Sequence, residues 1–243
     1  MVATPPRYIV GTVYPHERVR NPPQVQPLLP PDIQQVTASI NIEDYTEAGV
    51  NDGMQRYWAC VDALVRQGAN SITLAGLPIA SQLGRARVLE LIQETARKTG
   101  RVADAHGEAV VAALHHLGAA RIAIASRWSD PLNALLVAYL NQADIKVLAV
   151  TSAGQWAKQS FSMSIEEGVK LAFQLGREAM RRAPEAQALL LPGGAWRSLA
   201  VVPILEEDYN LPVVTNRLAQ TWRLIAAGIA PPVAGWGRLL EAH

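Results

Sequence analysis

The sequence predicts an α/β fold with parallel sheets flanked by helices. Short runs of β-branched or fully apolar residues alternate with amphipathic segments along the chain, which is the pattern of parallel strands joined by helices. Glycines follow several amphipathic segments, where helices commonly end. With 243 residues and 49% hydrophobic content, the chain suffices for one large domain or for two lobes of roughly 100 to 130 residues each.

Predicted strands are short runs rich in Val, Ile, Leu and Ala. In chain order they are residues 8–13, 34–40, 71–74, 121–125, 146–150, 188–191 and 212–215. The run 188–191 is fully apolar, as expected of a strand that is buried on both faces.

Predicted helices combine a 3.6-residue apolar period with start and stop signals. Asp52 caps a helix that ends at Gly68, and Ser164 and Glu167 form a capping box that opens another. The remaining predicted helices are residues 85–97, 108–117, 131–141 and 219–227. Five prolines between residues 17 and 32 exclude regular structure there and predict a stiff flap.

Composition narrows the classes of partner. The 22 Lys and Arg residues nearly balance the 21 Asp and Glu residues, and no basic track interleaved with aromatic residues is present, so nucleic acid is not expected as a partner. Apolar runs are far shorter than the ~20 residues of a membrane helix, and no signal peptide is recognised, so we expect a cytoplasmic protein with no membrane partner. One cysteine and five scattered histidines imply neither a disulfide nor a bound metal or other cofactor.

Ligands of parallel α/β sheets bind beyond the carboxyl ends of the strands. These strands, together with a further predicted strand that ends at residue 103, place six segments there: residues 14–18, 76–78, 104–108, 126–128, 192–194 and 215–217. In segment 104–108, His106 is a candidate acid or base and Glu108 could orient it or act as a base, although Asp104 or Glu108 could equally cap the helix.

Other candidates have both a functional and a structural interpretation. Tyr14 could act as an acid and Arg18 as a carboxylate clamp, although surface loops are rich in such residues. Gly193 and Gly194 could present N–H groups to an anion or simply form a tight turn. Trp128 could narrow the cleft for a flat or hydrophobic ligand, together with Trp196, or both could pack between the lobes.

Four segments, in this order and at these spacings, carry a family resemblance. They are residues 11–15 (GTVYP), residues 108–125 with their LGAARIAIA end, residues 190–194 (LLPGG) and residues 211–214 (LPVV). The chain resembles the aspartate/glutamate racemase superfamily, in its arylmalonate decarboxylase and maleate isomerase branch. The resemblance implies two similar lobes with parallel sheets flanked by helices and a ligand cleft between the lobes. The first lobe would be residues 1–106 plus 214–243 and the second residues 107–213, and a homo-oligomer is expected.

The resemblance also implies a chemistry that depends on cysteines, but this chain lacks cysteines at the matching positions. Members of this superfamily use a cysteine from one or both lobes, and the matching positions here are Gly76, or its neighbour Leu77, and Pro192. The small hydroxyl-bearing residues after the first position are replaced by Leu77 and Pro78. The chain therefore lacks both family thiols.

Some matching positions keep or change a binding role. Trp128 replaces a tyrosine that can donate a hydrogen bond to the substrate. Gly193 and Gly194 keep backbone N–H groups that can face an anion, and Gly76 is a further candidate for substrate binding. Thr215 and Asn216 match a polar pair that binds a substrate carboxylate in the family.

The sequence therefore predicts a cofactor-independent lyase or isomerase, similar to a decarboxylase, acting on a small carboxylate, aromatic ones included. The reaction would pass through a carbanion or enolate and use a non-cysteine acid or base, for which His106 and Tyr14 are the candidates. Two alternatives stay open: a hydrolase in which His106 and Glu108 activate water, and a non-catalytic carboxylate-binding protein. We also expect Cys60 to be buried and unreactive in the middle of a helix.

Overall fold

Eight parallel strands form two separate sheets in the part of the chain that the computed structural model describes, residues 5–17, 28–155, 163–194 and 197–241. The strands are β1 (Tyr8–Tyr14), β2 (Ile33–Ser39), β3 (Ser71–Leu74), β4 (Val102–Ala105), β5 (Arg121–Trp128), β6 (Lys146–Gln155), β7 (Ala188–Leu191) and β8 (Val213–Thr215). Their orders are β2-β1-β3-β4 and β6-β5-β7-β8, with parallel neighbours throughout. The same order in each sheet confirms the predicted fold of two similar parallel-sheet halves.

Helices connect the strands and cover the sheets. They are α1 (Glu47–Met54), α2 (Tyr57–Arg66), α3 (Leu77–Leu83), α4 (Arg85–Thr99), α5 (His106–His116), α6 (Asp130–Asn141), α7 (Ile165–Arg182), α8 (Val202–Tyr209) and α9 (Asn216–Ala226). β3 and β7 are buried along their whole lengths, because each lies inside its sheet with helices on both faces. The predicted capping box at Ser164 and Glu167 is present at the start of α7.

The prediction that a helix starts at Asp52 was wrong. The structure has two helices there, and Thr46 caps the first by accepting a hydrogen bond from Gly49 N–H at 3.1 Å. Asp52 lies inside α1 and forms an ion pair with Arg56 at 2.8 Å. A threonine three residues before an available N–H is an equally good cap, so the periodic pattern alone did not locate the start.

Two further helices and one longer strand depart from the prediction. The segment 76–78 was read as a loop, but α3 begins at Leu77 with Pro78 in its first turn, where a missing N–H is harmless. The helix α8 likewise begins with a proline in its first turn. Because β5 extends to Trp128, Arg127 and Trp128 are the last residues of a strand rather than part of the loop after it.

The predicted boundaries of the lobes fall close to the ends of strands. β4, the last strand of the first sheet in chain order, ends at Ala105. β8 belongs to the second sheet and contains the boundary between residues 213 and 214. The division into residues 1–106 plus 214–243 and residues 107–213 stays a prediction.

Part of the predicted flap, residues 18–27, lies outside the described residues, and so do Arg18 and Trp196. Within the described ranges, no helix has the length and apolar character required to span a bilayer.

Candidate active site

His106 lies where β4 ends and α5 begins, and it is 7% exposed. Gly76, which follows β3, donates a hydrogen bond from its backbone N–H to Nδ1 of His106 at 3.2 Å. Since Nδ1 accepts this bond, a neutral ring carries its proton on Nε2. The strand ends of β3 and β4 thus combine to fix the orientation and the tautomer of one imidazole.

Gly76 has a conformation that favours glycine. Its φ is +103°, and an added Cβ would lie 3.1 Å from Cγ of Pro15, the residue after β1. The close approach brings the carboxyl ends of three neighbouring strands of the first sheet together around His106.

Glu108 has partners other than His106. Its Oε1 and Oε2 accept hydrogen bonds from Nε and Nη2 of Arg85, at 3.0 and 3.1 Å, and its Oε1 also accepts one from the Tyr139 hydroxyl at 2.7 Å. Residues two positions apart in a helix do not face each other, so Glu108 and His106 leave α5 in different directions. The contacts of Glu108 join α4, α5 and α6.

The α5 helix is held in place by contacts on both sides of its first turn. An added Cβ at Gly107 would lie 2.5 Å from the Tyr139 hydroxyl, so the ring approaches the helix backbone directly. On the strand side, Asp104 accepts a hydrogen bond from Nε of Arg223 in α9 at 2.8 Å. Burial raises the pKa of Asp104, and the Arg223 charge opposes that rise. No side chain caps α5, so the capping alternative for Asp104 and Glu108 is not what the structure shows.

Tyr14, the last residue of β1, is directed along the sheet. Its hydroxyl accepts a hydrogen bond from Nε2 of Gln35 at 3.4 Å, and the same amide donates to Thr12 at 3.2 Å. Gln35 pairs with Val10, four residues before the end of β1. The Tyr14 phenol therefore points back over the sheet face, away from the strand ends that surround His106.

The second sheet brings the other predicted residues together, but their polar groups form hydrogen bonds with one another or with a helix end. Gly193 has a φ of +95° and donates its N–H to Oδ1 of Asn216 at 3.0 Å. The indole of Trp128 lies against it, since an added Cβ at Gly193 would be 3.1 Å from Cζ2 of that ring. Thr215 caps α9 by accepting a hydrogen bond from Leu218 N–H at 3.2 Å.

The predicted residues thus form two groups at the strand ends. His106 and Gly76 make one group in the first sheet, while Trp128, Gly193, Thr215 and Asn216 make the other in the second sheet. The two groups are connected through α5, which packs against β8 and α9. Gly194 is exposed, and an added Cβ there would meet no atom within 4 Å. The catalytic and binding roles of all these residues stay predictions.

Sequence reasoning did not single out two buried polar residues, one near the end of β5 and one after β2. Arg127 is 3% exposed and Tyr45, between β2 and α1, is 7% exposed. Burial lowers the pKa of Arg127 to about 10, with an opposing contribution from Tyr45. The one signal in the sequence was an arginine inside the otherwise uncharged stretch 122–129, which contains the end of β5.

Two four-stranded parallel sheets of identical order, with strand ends converging on a buried imidazole, define a two-lobed α/β protein of the Asp/Glu racemase-like superfamily. The sequence model of the arylmalonate decarboxylase family matches residues 10–240. The chain belongs to the arylmalonate decarboxylase family.

Individual relatives are distant in sequence and similar in structure. An arylmalonate decarboxylase from Bordetella bronchiseptica is 24% identical over 218 residues, which are 87% of this chain and 88% of that protein. A structure of unliganded arylmalonate decarboxylase has a TM-score of 0.84 at 24% identity, with 97% of this chain and 100% of that chain covered. A mutant maleate cis-trans isomerase from Nocardia farcinica, with a covalently bound succinylcysteine intermediate, has a TM-score of 0.80 at 20% identity, with 96% and 98% covered.

Proposed function

We propose that this protein is a cofactor-independent lyase or isomerase that acts on a small carboxylate through a carbanion or enolate, with His106 as the non-cysteine residue that stabilises the developing charge. Family membership supports the reaction class. The observation that carries the residue assignment is the hydrogen bond from Gly76 N–H to Nδ1 of His106, because Gly76, or its neighbour Leu77, matches the first-lobe cysteine position of the superfamily.

The tautomer of His106 allows the ring to donate a hydrogen bond to an enolate oxygen. With Nδ1 occupied as an acceptor, the ring has its N–H at Nε2, and a neutral imidazole N–H can donate to an oxygen that gains negative charge. In a decarboxylation, the C–C bond to the leaving carboxylate breaks, its electron pair stays on the α-carbon as an enolate, and CO2 leaves. The α-carbon then takes up one proton, supplied in net from solvent, while His106 stabilises the enolate.

The single cysteine is not placed for this role. Cys60 lies in the middle of α2, is 8% exposed and donates its Sγ–H to the carbonyl of Ser39 at 3.4 Å. Burial raises the pKa of its thiol, against a smaller opposing effect of Arg56. A thiol that stays protonated is a poor nucleophile.

We assign Glu108 a structural role, because Arg85 and Tyr139 already engage its carboxylate. This assignment gives no support to the hydrolase alternative, which needs Glu108 beside His106. A non-catalytic carboxylate-binding protein is the second candidate, and it has a specific observation in its favour. The N–H of Gly193, an expected oxyanion donor, is bound by Asn216.

The experiment that separates these functions is a turnover screen in D2O, followed by ¹H NMR. Phenylmalonate, maleate and related small carboxylates are incubated with the protein and with its Cys60→Ser variant. We expect both proteins to form product that carries solvent deuterium at the α-carbon or alkene carbon, at equal rates. Ligands that raise the melting temperature without any product would support the binding protein instead, and activity that disappears in Cys60→Ser without loss of stability would refute the cysteine-independent mechanism.

The expected homo-oligomer and cytoplasmic location, with neither nucleic acid nor membrane as a partner, rest on the resemblance and on composition. They stay predictions, and light scattering coupled to size-exclusion chromatography would measure the oligomeric state.

A further inference from the structure

Arg127, one residue before the end of β5, buries its guanidinium without a counter-charge. The residue is 3% exposed, and its Nε and Nη1 atoms are shielded from solvent yet donate to no residue of the described ranges. The ion pairs found within those ranges do not include it. Burial lowers its pKa to about 10, so the group stays protonated at neutral pH. A buried cation with no partner is strongly unfavourable, and it stabilises any anion that forms beside it.

Tyr45, between β2 and α1, is the ionisable group on which this charge acts. The residue is 7% exposed, and its hydroxyl forms no hydrogen bond with the part of the chain that the structure describes. Burial raises the pKa of the phenol above its ordinary value, while the charge of Arg127 opposes that rise. The phenol therefore stays protonated at neutral pH, and the guanidinium would stabilise the phenolate that remains after proton loss.

Tyr45 lies at the same strand ends as His106. Its ring packs edge-on against the ring of His16, two residues after β1, at 5.6 Å between ring centroids. The preceding residue, Pro15, approaches Gly76, and the Gly76 N–H group binds the His106 ring. The phenol is therefore part of the first-sheet group of strand-end residues.

Arg127 connects this phenol to the second sheet. The next residue of β5, Trp128, packs on Gly193, so Arg127 adjoins the second-sheet group of strand-end residues. Tyr14, the other phenol at the end of β1, is directed back over the sheet face by its contact with Gln35. Tyr45 is thus a phenol that reaches both groups and whose hydroxyl is available for a reaction.

We propose that Tyr45 is the acid that delivers the proton to the α-carbon and that Arg127 is a positioning residue that stabilises the resulting phenolate. This inference rests on the proposed function in its decarboxylase form, in which the group that carries the proton is unassigned. After CO2 has left, the O–H bond of Tyr45 breaks, and its proton joins the electron pair of the enolate to form the new C–H bond. A proton from solvent then restores the phenol. Since a phenol is a far stronger acid than a C–H group next to a carboxylate, this transfer is favourable even with a raised pKa.

The test uses 2-methyl-2-phenylmalonate, because its decarboxylation creates a stereocentre at the carbon that is protonated. The full-length wild type and Tyr45→Phe are incubated with it, and the 2-phenylpropionate formed is analysed by chiral chromatography. The control is Tyr209→Phe, which removes a hydroxyl that donates to the Arg177 carbonyl at 3.5 Å, at the end of α8. We expect the wild type and the control to form one enantiomer in excess at equal rates. Tyr45→Phe should form nearly racemic product about 10²- to 10⁴-fold more slowly, because water without a fixed position replaces a positioned acid.

The contribution of Arg127 is measured with a double-mutant cycle. We expect Arg127→Met to lose enantiomeric excess and turnover in the same direction as Tyr45→Phe, and Arg127→Lys, which keeps the charge, to recover part of both. Because the guanidinium acts through the phenol, adding Arg127→Met to Tyr45→Phe should slow turnover by no more than about 3-fold. A double variant in which the two single losses multiply would show that Arg127 does not act through Tyr45.

The folded state of Tyr45→Phe is checked by its melting temperature, which should match that of the wild type because the lost hydroxyl has no hydrogen bond to break. Undiminished enantiomeric excess in folded Tyr45→Phe would overturn the inference whatever the rate, and so would racemic product from the wild type. Isomerisation of maleate without decarboxylation of any malonate would overturn the inference and keep the proposed function. A wild type that converts no carboxylate at all would refute the proposed function itself.

Discussion

At Cys60, the only cysteine of the chain, burial and a hydrogen bond both oppose reactivity. Because burial raises the pKa of the thiol, the thiolate fraction at pH 8 is smaller than that of a free cysteine. We expect iodoacetamide to label the native protein far more slowly than the same protein in guanidinium chloride, as followed by mass spectrometry. Complete labelling of the native protein at the denatured rate would show that Cys60 is accessible and ionised.

Gly107 is a second residue whose environment gives a direct prediction. Since an added Cβ would lie 2.5 Å from the Tyr139 hydroxyl, Gly107→Ala should displace that ring and weaken its hydrogen bond to Glu108. We expect a loss of about 1 to 3 kcal/mol in the free energy of unfolding, measured with urea. Gly194→Ala, where the added methyl meets no atom within 4 Å, should change it by less than about 0.5 kcal/mol.

The sequence predicted the burial of Cys60 but not the partners of Glu108. Helical periodicity places Cys60 on the same face as Leu64, so its burial follows from local pattern. The partners of Glu108, by contrast, are 23 and 31 positions away in the chain, and only packing brings them to its carboxylate. The burial of Arg127 was equally hidden, because the contacts that cover it do not appear in the local sequence pattern.

At the scale of elements, alternation and apolar runs located most strands and helices, whereas their ends depended on details of capping. α3 was missed because Leu77-Pro78 after a strand resembles a turn, although proline is well tolerated in the first turn of a helix. The prediction ended β5 too early, because the strand continues through the polar residues 126 and 127. Those residues are buried by contacts beyond the strand itself, so the alternation of apolar residues could not reveal them.

The capping box of α7 gives an element-scale prediction. Ser164 accepts a hydrogen bond from Glu167 N–H at 3.1 Å, and the Glu167 carboxylate accepts one from Ser164 N–H at 2.8 Å. Ser164→Ala should reduce the free energy of unfolding by about 1 kcal/mol at pH 7. Urea unfolding of this variant beside the wild type measures the loss, and an unchanged midpoint would contradict it.

The stability that the same capping box contributes depends on pH, and the direction follows from the pKa of Glu167. Hydrogen bonds from Ser164 lower the pKa of Glu167 below its ordinary 4.5. The contribution of the carboxylate is therefore complete above the unfolded-state pKa and is lost as pH falls through the lower folded-state pKa. The difference in stability between wild type and Glu167→Gln should consequently shrink as the pH is lowered from 7 to 3.

For the whole molecule, two ion pairs fasten the region around α5. Arg85 reaches from α4 to Glu108 and also donates to the carbonyl of Gln142 after α6 at 2.9 Å, so it bridges elements from both halves of the fold. Arg223 of α9 binds Asp104 of β4 at 2.8 Å. Because His106 begins α5, these contacts hold the imidazole in position relative to both sheets.

A structural role for Glu108 predicts an effect on stability rather than on chemistry. Glu108→Gln breaks charge-assisted hydrogen bonds between side chains that are 24% and 12% exposed, and we expect a loss of about 1.5 to 3 kcal/mol in unfolding free energy with turnover within a few-fold of wild type. Glu90→Gln, which removes an exposed ion pair with Arg87, is the control and should change stability by less than about 0.5 kcal/mol. A large loss of turnover with unchanged stability would make Glu108 a catalytic residue.

The central claim, that the Nε2–H group of His106 stabilises the enolate in a reaction that uses no cysteine, is tested most directly by His106→Asn. The asparagine side-chain oxygen can keep the role of Nδ1 as acceptor for Gly76 N–H, while the Nε2–H group is removed. We predict a melting temperature close to that of the wild type and a loss of about 10²- to 10⁴-fold in turnover of whichever carboxylate the wild type converts. Full turnover in a stably folded His106→Asn protein would contradict the account.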